Sequence, residues 1–185
     1  YDFDDGDLEA GYQPLVDGDL TVNGYYEYNK RGFAYIDADN QGKAGLGVCD
    51  YVSNTGGTGT ANECDTTGDA NGQNTNADDS LQAGELLAFV FRVSKEISVV
   101  GINDHNRDVN GDKVLIWSNG NVGGWDLLTV AAGKITLGIK HVGLTVLKIF
   151  GNGEFGQNGD GTSASNLYVA GINEVPLPAA AWLFG

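Results

Sequence analysis

The chain contains no methionine, and in 185 residues only three prolines, two cysteines, two histidines and ten basic residues. Each shortage closes off a class of explanation. Ten cations against 25 acidic residues leave a net charge of −15. Such a surface lacks the basic footprint that nucleic acid requires, so no nucleic-acid partner is expected. It also disfavours anionic lipid, and leaves self-repulsion in solution or recruitment of cations as its uses. The only histidines are His105 and His141. No nucleophile is implied beside His105, and His141, between Ile139 and Leu144, reads as a strand or turn residue. Carboxylate pairs for glycoside hydrolysis need a cleft to work in, and small Gly-rich loops supply little material for one. The chain is read as a non-enzyme.

The two cysteines, Cys49 and Cys64, have 14 residues between them. A bridge there would remove about 3 kcal/mol of loop freedom from the unfolded chain. A metal pair is the rival reading, but no nearby His or Cys completes a zinc shell. The disulfide is expected, and with it an oxidising compartment. The lack of methionine even at position 1 fits a chain from which an export signal has been removed.

What the sequence does have is glycine, 29 residues with no three-residue period, which excludes collagen. Glycines cluster where strands would turn, as at Asn119-Gly120 and Gly123-Gly124. Between such signals lie short apolar runs. Leu20, Val22, Tyr26 and Tyr28 alternate at strand spacing, and Phe33–Ile36 and Ala44–Val52 follow. The residues from Ser53 to Asp79 are almost all Gly, Thr, Asn and Asp, and are expected to be an exposed loop pinned by the disulfide. Strands are then expected over 86–93, 97–102, 114–117, 125–130, 135–139, 144–150 and 167–172, with no capped helical period anywhere. Asn119-Gly120 between two such runs predicts a hairpin, and Gly123-Gly124 allows a connection longer than two residues. The fold class is all-β, a β-sandwich or jelly-roll-like domain with long Gly/Asn/Thr-rich loops, over residues 1–174.

Calcium is the cofactor this composition favours. Asp104, Asp108, Asn110 and Asp112 fall in one inter-strand segment, and the Asp-x-Asn-x-Asp spacing puts three oxygen ligands within reach of one hard cation. The glycine at 111 and the asparagine at 119 exclude an EF-hand. Asp78, Asp79 and Glu85 are a second candidate set, and an acidic surface turn is the alternative for both. Tyr25, Tyr26, Tyr28, Trp117 and Trp125 could form a platform on which sugar rings stack, or could be core and cross-strand residues.

The last 11 residues, from Val175 through Pro176, Leu177, Pro178 and Ala179 to Trp182, Leu183, Phe184 and Gly185, carry no charge. They are too few to cross a bilayer, which takes about 20 in a helix. Val-Pro-Leu-Pro-Ala followed by Trp-Leu-Phe-Gly resembles the PEP-CTERM sorting signal. More loosely, Gly45–Cys49, Gly84–Phe91 and Leu167–Ile172 resemble the Gly-rich β-sandwich ectodomains of that family. The helix and basic cluster that follow the motif in the family do not occur in these 185 residues. The resemblance implies a Gram-negative, exopolysaccharide-producing source and handling by an exosortase during export. It also implies a secreted or surface location. Residues 175–185 must bury Trp182, Leu183 and Phe184 against something: their own sandwich, or a neighbouring subunit as a donated strand. Head-to-tail donation would make a homopolymer. The function expected is a structural protein of the extracellular or biofilm matrix, polymerising by strand donation. The alternative is a monomeric calcium-dependent carbohydrate-binding module that holds exopolysaccharide.

Overall fold

The computed structural model describes residues 1–3, 10–27, 29–37, 45–49, 51–53, 63–65, 81, 84–103, 108–120, 124–138, 143–150 and 167–175. Among them every regular element is a strand, and the fold is all-β. The strands use the alternation written in the sequence. In β8 (Leu86–Lys95), Leu87, Phe89 and Phe91 are buried while Val90 and Arg92 are exposed. The same period in β3 (Leu20–Tyr26), β10 (Lys113–Ser118) and β13 (Leu144–Phe150) buries Leu20 and Val22, Val114 and Ile116, and Leu147 and Ile149. Strands with one apolar face need a second layer to cover it.

That layer comes from folding one sheet over on itself. The front layer runs β11 (Asp126–Thr129), β10, β13, β8, β3, with β2 (Leu15–Asp17) also on β3. The sheet turns over at β4 (Lys30–Asp37), whose residues 30–32 pair with β3 and 33–37 with β5 (Gly45–Cys49). The crease is tight enough to demand glycine. A Cβ on Gly24 would run into the Phe33 carbonyl, and one on Gly32 would stand 2.5 Å from the Cys49 carbonyl oxygen. The back layer continues from β5 to β14 (Tyr168–Glu174), β9 (Ile97–Asn103) and β12 (Lys134–Thr136), with β1 (Ala10–Tyr12) on β4.

The free ends of the two layers meet through the chain itself. Val130 N donates to Asp112 O (2.8 Å), and Gly111 N to Val130 O (3.0 Å). Three residues on, Ile102 N donates to Gly133 O (2.8 Å), so the strip of strands closes almost into a barrel. Leu46, Val48, Ile102 and Val169 from the back meet Phe89 and Leu147 from the front in one core. The first residues join it: Phe3 N donates to Ala170 O (2.8 Å) and Ile172 N to Tyr1 O (2.9 Å), which lays residues 1–3 along β14.

The outer side of the back layer is buried over β4, β5 and the start of β14, while Lys134 and Thr136 of β12 are exposed. Tyr35 and Cys49, on the faces of β4 and β5 turned away from the core, form a second buried cluster with Phe33. Tyr168 and Ala170, outward on β14, are buried too. Cys49 is disulfide-bonded, and Cys64 is the only other cysteine the chain offers. The expected strand at 44–52 is split into β5 and β6 (Tyr51–Ser53). Within the segment expected to be a structureless loop, β7 (Glu63–Asp65) pairs in parallel with β6, Val52 against Cys64, and β6 packs on β4. β1 and β2 were also not expected.

Candidate functional site

The outer side of the front layer is built differently. Residues directly opposite one another on paired strands share a face. The registers align Leu127, Leu115, Phe150, Leu86, Tyr25 and Arg31 in one rung across β11, β10, β13, β8, β3 and β4. At about 4.8 Å per strand that rung is roughly 24 Å wide. The next places Trp117, Lys148, Ala88 and Asn23 side by side. A third carries Val146, Val90, Thr21 and Val16. A solvent-facing side of an antiparallel sheet is ordinarily polar; this one is mostly apolar and aromatic.

Both tryptophans of the expected platform belong to it. Trp117 lies opposite Lys148, whose Nζ sits 4.9 Å from the indole centroid. Trp125, just before β11, leans on Phe150 with ring centroids 5.9 Å apart and an interplanar angle of 59°. Trp125 is 46% exposed, Leu127 41% and Val16 62%. Tyr25 shares the face, whereas Tyr26 packs against the core and Tyr28 lies outside the described residues.

Asn119, expected as a hairpin residue, joins β10 to a different neighbour. Its Oδ1 accepts from Thr145 N and Val146 N, each at 3.0 Å, and its Nδ2 donates to Thr145 Oγ1 at 2.9 Å. Those bonds fill the register shift between Leu144 and Val146 and anchor the end of β10 that carries Trp117. The hairpin itself forms, with β10 and β11 antiparallel, and its connection is the longer one, residues 119–125.

Of the calcium candidates, Asp108, Asn110, Asp112 and Glu85 are among the described residues. Asp108 Oδ1 accepts from Asn110 N at 2.9 Å, making an Asx turn. Asp108 and Asn110 are exposed, while Asp112 is buried. Glu85, of the second set, is buried as well. Asp104, Asp78, Asp79 and both histidines lie outside the described residues. Among the described residues no group of three or more His, Cys, Asp or Glu is placed to hold one metal ion.

A charged cluster joins the two layers beside the start of the C-terminal segment. The Tyr1 hydroxyl donates to Asp19 Oδ1. Lys95 Nζ bonds Asp19 and Glu174, both at 2.9 Å, and lies 5.8 Å from the Tyr1 ring centroid. Burial first, and then the bond to Asp19, push the Tyr1 phenol up to about 12. Tyr1 and then Lys95 hold the Asp19 carboxyl below the usual range, and Glu174 then Asp19 raise Lys95. Next to this cluster Val175 N donates to Glu96 O at 2.7 Å, and Val175 is 40% exposed. Pro176, Leu177, Pro178, Ala179, Trp182, Leu183 and Phe184 lie outside the described residues. Among the described residues no helix is long and apolar enough to cross a membrane.

Comparison with protein-family models, with curated proteins and with solved structures finds no match to this chain.

Proposed function

We propose that the chain is a non-catalytic protein of the extracellular matrix that holds polysaccharide on the outer face of its front layer. One observation carries this reading: Trp117, Trp125, Phe150 and Tyr25 share a broad, partly exposed sheet face on which an extended chain of sugar rings can lie flat. The C–H side of a pyranose stacks on an aromatic ring as another apolar face would, and rings held by sheet register need no reorganisation to receive it. Front and back layers differ in the way this role requires. On the back layer Tyr35 and Tyr168 are buried and Phe33 partly so, whereas Trp125 on the front is 46% exposed.

Affinity electrophoresis through gels cast with exopolysaccharide tests the reading. The wild-type chain should be retarded, and Trp125→Ala should weaken retention about tenfold, the cost of removing a central aromatic contact. Wild-type mobility unchanged in every such gel would end it.

A second reading, self-association through residues 175–185, is favoured by where β14 delivers the chain. Val175 leaves the sheet half exposed beside Lys95 and Glu174, and the residues that follow are uncharged and apolar. Donated to another copy, they would build a homopolymer. Deleting residues 176–185 should abolish polymers in sedimentation velocity while leaving polysaccharide retention intact. Polymers that survive the deletion would exclude this second reading.

A further inference from the structure

The front face departs from the rest of the molecule in charge. The chain has 25 acidic and 10 basic residues, yet no Asp or Glu occupies any position of its three outward rungs. The charged residues there are Lys148, in the middle of the face, and Arg31, at the end of the widest rung. Lys113, outward at the far end of β10 opposite Thr129, adds a third cation. In a protein of net charge −15, rungs whose only charged residues are cations offer an anionic partner local attraction.

From this we infer that the polysaccharide held on the front face is an acidic one, bearing carboxylates at intervals along its sugar chain. The inference rests on the platform reading and adds the charge of the ligand to it. Spacing selects this chemistry. From the strand rise and the inter-strand distance, Lys148 stands about 14 Å from Lys113 and about 16 Å from Arg31. Cations that far apart, with rings and aliphatic side chains between them, do not match a polymer charged at every short repeat, such as nucleic acid. They match a chain in which uncharged ring faces alternate with isolated uronates. Trp125 and Phe150 take the ring faces. Lys148, whose ammonium is set over Trp117, presents a positive charge at the level of the sugar. Beyond about 8 Å at physiological salt the repulsion from the rest of the protein is screened, so local contacts decide.

Pectic chains provide the probe, because methyl esterification removes their charge and keeps their rings. Titration calorimetry at physiological salt should give partly esterified polygalacturonate an affinity at least tenfold above that of the fully esterified, neutral chain. Lys148→Gln should erase most of that difference, and Lys148→Arg should restore it. Equal affinity for the neutral and charged chains would overturn the charge assignment and leave the platform standing. No binding of either would overturn both. Equal binding of polyglutamate would overturn the inference by showing that charge without sugar rings suffices. Tighter binding of single-stranded DNA would overturn it in favour of a nucleic-acid ligand.

Discussion

Tyr1 is fixed by its backbone, its ring and its hydroxyl together. Its amino group donates to Ile172 O at 3.0 Å, its ring lies 5.9 Å from that of Phe91, and its hydroxyl donates to Asp19. The pH dependence follows from the direction of each shift. Asp19 is depressed, so its contribution is present above the ordinary carboxylate pKa of about 4 and is lost as pH falls through its lowered value. Lys95 and Tyr1 are raised, so theirs are complete below about pH 10 and fade only as pH climbs through their elevated values. Thermal melts should therefore place Asp19→Asn below wild type by a constant margin from about pH 5 to 9, with the two converging below pH 4. A constant gap down to pH 2 would detach Asp19 from acid stability. At the crease, Gly24→Ala drives a methyl into the Phe33 carbonyl and should cost about 1–3 kcal/mol in denaturant unfolding. A neutral outcome would mean that β4 shifts easily.

Among the elements, those whose side chains alternate cleanly were legible in the sequence. β3, β8, β9, β10, β13 and β14 fall on the apolar runs read from the residues alone. β2 was not, because Val16 faces solvent between a proline-containing turn and an aspartate and shows no inward stripe. Nor was β7, since Glu-Cys-Asp carries no period of its own and is a strand only by pairing with β6. The candidate face was half legible. Trp117 and Trp125 could be named as possible platform residues, but placing them with Phe150 requires the pairing of Leu115 with Phe150, a non-local contact with no local signal. Lys148 was invisible for the same reason, because a lone lysine in a strand reads as a solvated position. The disulfide is the covalent element here, fixing Cys49 on the outer side of the back layer. Cys49→Ser should lower stability by about 3 kcal/mol in denaturant unfolding under oxidising conditions. Under reducing conditions the variant and wild type should differ little.

Across the molecule, the twelve-stranded sheet turns over at β4 and its ends meet at residues 130–134, and its two outer sides differ in character. The back buries Tyr35, Cys49 and Tyr168 on its outer side and bears the disulfide. The front is open, apolar, aromatic and, in its rungs, free of carboxylates. Tryptophan accessibility reports on this asymmetry directly. The chain has three tryptophans, so Trp182→Phe leaves Trp117 and Trp125 as the only indoles, both on the front face. Acrylamide quenching of that variant should fall when partly esterified polygalacturonate is added to saturation, and in the Trp125→Phe, Trp182→Phe double variant the remaining protection should be that of Trp117 alone. Quenching that stays unchanged while the polysaccharide is demonstrably bound would place the ligand elsewhere and contradict the account.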